Sequence, residues 1–174
     1  MVVRKRPEVK GAALAFVTST IQNWVPIFHD AAVAEIAVRT LRDNLEHFRA
    51  SAVGYVIMPS HVHLLLGLPR VEILSKFMQT YKILTAKRVK LLPFAAQYAV
   101  FWQAGRFSLW QPRFDDLIVT SERQLRVKLE YIHNNPVKAG LVADPAGWKY
   151  SSAADWMELG DGPIPIDKSF SYLG

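Results

Sequence analysis

The 174 residues contain no cysteine. Disulfides, thiolate metal centres and a cysteine nucleophile are thereby excluded. No stretch reaches the roughly 18 apolar residues of a membrane-spanning helix, so no membrane partner is expected. The apolar run Gly11–Val17 behind Arg4-Lys5-Arg6 is too short, and too poor in a cleavage pattern, for a secretory signal. A cytoplasmic location is expected. Internal repeats and low-complexity blocks are also missing.

What is present is apolar and basic. Half of the residues (51%) are hydrophobic, which suits one packed domain rather than a disordered chain. The formal net charge of +6 favours an anionic partner, and nucleic acid is the commonest.

Periodicity divides the chain as follows. Residues 1–10 read as a basic arm and residues 12–21 as a first strand. Asp30 can cap a helix running to about Arg49, with Val33, Ile36, Ala37, Leu41, Leu45 and Phe48 at helical spacing. Ala52–Met58 and His61–Leu68 read as strands joined by the Pro59-Ser60 turn, a hairpin. A second helix spans about Val71–Leu91, with Leu74, Phe77, Met78, Tyr81 and Leu84 on its apolar stripe. Residues 93–114 form an aromatic-rich connection, and Asp116–Thr120 a fourth strand.

Ser121 and Gln124 make a capping box for a third helix. That helix is expected to end at Asn135, ahead of Pro136. Residues 1–142 are read as one domain and 143–174 as an irregular C-terminal tail. The element order is that of an α+β fold, a ferredoxin-like βαββαβ antiparallel sheet with an additional C-terminal helix. Two helices should cover one sheet face and leave the other free, with the third helix beside the sheet.

Two patterns carry chemistry. Strand alternation puts His61 and His63 on one face and Val62, Leu64 and Leu66 on the other. Paired imidazoles on a sheet surface can begin a divalent metal site, although His-x-His alone fits ordinary half-buried histidines equally well. On the third helix Gln124, Lys128, Tyr131 and Asn135 share one polar stripe, opposite Leu125, Leu129 and Ile132. By itself that stripe is a solvated face. Together the patterns describe a cation held by two imidazoles and an amide oxygen, with positions left for phosphate, next to a tyrosine hydroxyl. Tyr81 falls on an apolar stripe and is read as core.

Three stretches resemble the HUH single-strand transposases, and within them the REP-associated tyrosine transposases. They are Tyr55 to Leu65 around His61-Val62-His63, Trp110-Gln111-Pro112-Arg113-Phe114, and Glu130 to Val142 around Tyr131 and Asn135; Trp148 to Ser152 then supplies a Trp-x-x-Ser-Ser element. The resemblance implies that His61, His63 and Asn135 ligate Mg²⁺ or Mn²⁺ and that Tyr131 is the nucleophile. It implies cleavage of single-stranded DNA near a hairpin, a 5′-phosphotyrosine with a free 3′-hydroxyl, and strand rejoining. It allows a monomer or a homodimer. One departure stands: many relatives carry an Asp/Glu-His pair after the Trp-Gln-x-Arg-Phe motif, and here those residues are Asp116 and Leu117.

Single strands are held by cations and stacking rings. Arg4, Lys5, Arg6, Lys82, Lys87, Arg88, Arg106, Arg113 and Lys128 are the candidate DNA contacts, whereas Trp110 and Phe114 are assigned to packing. Hydrolytic readings fit less well. A metallo-β-lactamase-like site would continue His-x-His-x-Asp-His, but position 65 is Leu. An amidohydrolase barrel needs about 250 residues, and a two-histidine phosphoesterase needs a second His-x-Thr/Ser element. The remaining rival is a non-catalytic DNA-binding protein.

Overall fold

The computed structural model describes residues 9–93 and 95–171. Arg4, Lys5 and Arg6 lie outside the described residues. The elements are β1 (Ala13–Thr20), α1 (Ala31–Phe48), β2 (Ser51–Met58), β3 (His61–Leu68), α2 (Leu74–Lys90), β4 (Trp102–Gln103), β5 (Arg106–Phe107), β6 (Asp115–Val119), α3 (Glu122–Lys138) and α4 (Ala153–Trp156). Strands β2, β3, β1 and β6 form, in that order, one fully antiparallel sheet, the ferredoxin-like arrangement expected. No helix among the described residues is long and apolar enough to cross a membrane.

Local chemistry explains the boundaries. The Asp30 carboxylate accepts from the Ala32 N–H and starts α1, and Arg49 ends it in the left-handed region at φ 51°. The α1 residues Val33, Ile36, Ala37 and Leu41 are buried with Leu74, Phe77, Met78 and Tyr81 of α2 in one core. Val62, Leu64 and Leu66 of β3 supply its sheet side. Leu84 is only half-buried, and the α2 stripe continues instead through Thr85 and Val89.

Two expectations need correction. The far sheet face is not free: α3 lies on it, burying Leu129 and Ile132 with Phe16, Val56 and Leu65. The closeness of that docking shows at Gly54, in the β2 bulge, where a Cβ would stand 2.7 Å from a Leu129 methyl. Second, α3 does not stop at Asn135. Pro136 sits inside its last turn, and the Ala139, Gly140 and Leu141 N–H groups close the end on the Asn135, Val137 and Pro136 carbonyls. A proline there costs one hydrogen bond near a terminus that already has unpaired carbonyls, far less than in mid-helix.

The segment after residue 143 is mostly irregular, with only a 3-10 turn at Pro145–Gly147 and the short α4, but it is fixed on the sheet. It runs along β2, with Ile57 N–H donating to Tyr150 O (2.8 Å) and Asp167 N–H to Ala52 O (2.8 Å). The indoles of Trp148 and Trp156 donate to Ile57 O and Val53 O. Its hub is the fully buried Ser152, whose Oγ accepts the Tyr55 N–H at 2.9 Å and lies 2.9 Å from His133 Nε2 of α3. The segment thus joins β2 to α3 by polar bonds that no hydrophobic period reveals.

Ser152→Ala strands a buried N–H and frees the His133 ring, so it should lower unfolding free energy by about 2–4 kcal/mol in chemical denaturation. His133 is held neutral, its pKa lowered to about 4 by burial. An unfolded chain takes up that proton below pH 6.5 whereas the fold does not, so stability is lost as pH falls from 6.5 towards 4. His133→Asn should therefore flatten the wild-type decline between pH 6.5 and 5, by at most about 1.4 kcal/mol per pH unit.

Candidate metal and tyrosine site

The site forms between β3 and α3. His61 and His63 project from β3 towards α3, on the face opposite Val62 and Leu64, and their ring centroids lie 4.7 Å apart. On α3 the same turn geometry that buries Leu129 and Ile132 turns Tyr131 back over the strand. The Tyr131 ring meets His63 edge-on at 5.2 Å and Phe16 at 6.0 Å, yet Tyr131 stays 41% exposed. The side chain of Asn135, one turn on, interacts with His61. All four residues anticipated for the core of the site are therefore brought together.

Electrostatics keep the imidazoles neutral. Burial lowers the His61 pKa, with the Asn135 interaction as a partial offset. His63 is pushed down to about 3, first by burial, then by the neighbouring His61 and the Lys128 ammonium. Neutral imidazole is the form that binds metal. Thr18 Oγ1 lies 2.8 Å from His63 Nδ1, because the β1–β3 register sets Thr18 opposite His63. An Nδ1–H donated to Thr18 leaves a lone pair on Nε2. That Nε2 is buried and has no hydrogen-bond partner within the protein. A buried nitrogen acceptor without a partner costs free energy unless something else occupies it. The donor set of two neutral nitrogens and one amide oxygen, with open positions, fits a divalent cation. No cluster of three or more His, Cys, Asp or Glu suited to a metal exists among the described residues.

The candidate DNA cations separate into two groups. Lys128 belongs to the site, with Nζ 4.4 Å from the Phe16 centroid and 5.8 Å from that of Tyr131. Lys87, Arg106 and Arg113 are exposed. Lys82 and Arg88 are engaged inside the fold. Lys82 Nζ donates to the Gln111 and Pro112 carbonyls at 2.6 and 3.1 Å, and Arg88 bonds Asp43 (2.6 Å) and Thr40 (3.0 Å). The Lys82 bonds hold the Gln111–Pro112 stretch on α2, the Arg88 bonds tie α2 to α1, and Trp110 itself is buried against Phe28 and Tyr81. Tyr81 is fully buried, with its pKa raised by desolvation, and its hydroxyl donates to Ala37 O.

Sequence reasoning missed Thr18, Phe16, Trp24 and Lys138. Thr18 and Phe16 needed the strand register. Lys138, whose Nζ lies 5.9 Å from the Tyr131 centroid, needed α3 to pass Pro136. Trp24 meets His61 edge-on at 5.7 Å from a segment that carried no periodic signal.

The family model described as "Transposase IS200 like" matches residues 14–135, a stretch that includes β1, the histidine pair, Tyr131 and Asn135. A Haemophilus influenzae protein named as a candidate REP-associated tyrosine transposase is 29% identical over 116 residues, 64% of this chain and 63% of that protein. An Escherichia coli REP-associated tyrosine transposase is 26% identical over 116 residues, 66% of this chain and 59% of the relative. The matches thus span less than two thirds of these curated relatives. In fold, the chain superposes over its whole length on a REP-associated tyrosine transposase solved with a REP hairpin, at a TM-score of 0.72, 20% identity and 97% of that chain. A transposase-like protein of Deinococcus radiodurans gives 0.50 at 21% identity, covering 76% of this chain and 97% of the other. With the family model covering most of its length, the chain belongs to the IS200-like transposase family.

Proposed function

We propose that this protein is a metal-dependent endonuclease and strand transferase for single-stranded DNA, acting beside hairpins through a covalent 5′-phosphotyrosine. One observation carries the reading: an exposed tyrosine ring lies 5.2 Å from an imidazole whose inward nitrogen is buried without a partner. Hairpin DNA as substrate is supported by the fold shared with a relative bound to a REP hairpin.

His61, His63 and Asn135 would hold Mg²⁺ or Mn²⁺, with Thr18 orienting His63. When bound, the cation polarises the scissile phosphate and orients it. The Tyr131 oxygen attacks phosphorus in line, a P–O(Tyr) bond forms, and the P–O3′ bond breaks. The tyrosine proton passes to solvent water, and the departing 3′ oxygen takes a proton from solvent, leaving a free 3′-hydroxyl. Reversal by a 3′-hydroxyl reseals a strand without ATP, because the phosphotyrosine retains the energy of the cut bond. Lys128 and Lys138, flanking the Tyr131 ring, offset phosphate charge and favour the phenolate as it develops. The buried Phe16 under the ring limits its rotation, which keeps the hydroxyl near the phosphate.

Incubation with hairpin-bearing single-stranded DNA and Mn²⁺ should give a covalent adduct that survives SDS, and chelation should abolish it. Tyr131→Phe should reduce the adduct to background with the fold intact, whereas Tyr81→Phe should chiefly lower stability. An adduct retained in Tyr131→Phe overturns the assignment. Thr18→Val removes the partner of Nδ1 and should weaken Mn²⁺ binding roughly 10- to 100-fold by titration calorimetry, with little change in thermal midpoint without metal.

A further inference from the structure

Between β1 and α1 the chain makes a turn in which two consecutive non-glycine residues, Asn23 and Trp24, have positive φ (56° and 57°). Asparagine tolerates that region, but for a tryptophan it is costly. The turn is nevertheless firmly held. Ile21 is fully buried and its N–H donates to Ser60 O at 2.8 Å, Gln22 N–H donates to Leu109 O, Trp24 N–H donates to Ile21 O, and Phe28 N–H donates to Pro59 O. These bonds fix the turn against the loop that leads into His61.

The indole so held is not buried. Trp24 is 60% exposed, and its contact with His61 is edge-on, at an interplanar angle of 67°. Packing therefore does not account for a strained backbone that carries a large apolar ring into solvent. Its place in the site does suggest a role. The cations Lys128 and Lys138 gather at the Tyr131 end, whereas Trp24 stands at the His61 end. A single strand with its phosphate between the two meets positive charge on one side and an open π surface on the other. Rings of this kind hold single strands by stacking on a base, and they do so without regard to sequence because every base has a π face.

We infer that Trp24 is a stacking platform for the nucleobase adjoining the scissile phosphate, a binding residue that fixes where the single strand crosses the metal site. The inference rests on the proposed DNA-cleaving function, and binding without metal tests it separately from the chemistry. The probes are a fluorescent oligothymidylate and an abasic strand of equal length, measured by anisotropy in chelator. Trp24→Asn removes the ring while keeping a residue suited to positive φ. It should weaken oligothymidylate binding by about 5- to 150-fold, the worth of one stacked base, and leave abasic-strand binding within twofold. Trp24→Phe, with a smaller ring, should retain most of the affinity. Equal losses on both strands, no loss on either, or a wild type indifferent to the presence of bases would each overturn the inference. If adducts never form but the base-dependent loss is seen, the stacking role stands and the cleavage reading falls.

Discussion

The seating of α3 on the sheet face away from α1 and α2 is the contact on which the site depends. Leu129 and Ile132 bury themselves against Val56 and Leu65, and the Gly54 bulge lets the helix come close. Each leucine-sized side chain so buried contributes about 1.5–3 kcal/mol. Because Ile132 points down, Tyr131 must lie to the side of the helix, over the strand that carries the histidines. Because the helical turn repeats every 3.6 residues, Asn135 follows Tyr131 down the same side. Tyr131 and Asn135 are thus positioned by the hydrophobic residues between them.

A second constraint acts from below. The β1–β3 register pairs Thr18 with His63 and Thr20 with His61, and it places Phe16 under the Tyr131 ring. A slip of one residue would send Thr18 to the opposite face and leave His63 Nδ1 without its partner. The C-terminal segment completes the clamp, since Ser152 binds both the β2 backbone and His133 of α3. Strand, helix and tail therefore share one polar junction, placed two residues from Tyr131 on the same helix.

The sequence is most legible where one physical period dominates. The alternation of His61 and His63 with Val62 and Leu64, and the polar stripe of Lys128, Tyr131 and Asn135, both reflect the periods of isolated elements. The Ser121–Gln124 cap is equally local. What escaped was non-local or irregular. The docking of α3 on the second face rests on Gly54, Leu65 and Leu129 meeting across 75 residues of chain. The fate of Lys82 rests on carbonyls of Gln111 and Pro112, which no charge count can anticipate. The tail binds through indole and hydroxyl groups and through scattered apolar residues such as Ile164 and Phe170 that follow no period, so its composition resembles that of a loop. Pro136 illustrates a rule applied one turn too early: the cost of a helical proline falls steeply near a C-terminus.

Four buried side-chain atoms among the described residues lack hydrogen-bond partners: Ser19 Oγ, Asn44 Oδ1, Trp110 Nε1 and His63 Nε2. Trp110 belongs to the α1/α2 core, Asn44 lies on α1, and alternation along β1 puts Ser19 on the side of Val17 in that core. His63 Nε2 alone is on the α3 face, beside a second neutral imidazole and an exposed tyrosine. Evolutionary retention need not be invoked to see the physical consequence. A nitrogen kept neutral by burial and by Lys128, oriented by Thr18 and left without an internal partner, carries a desolvation penalty of about 1–3 kcal/mol in the metal-free fold. Coordination would remove that penalty in the folded state only, so cation binding and stability would be linked. The arrangement that makes His63 a poor core residue is the one that coordination would relieve.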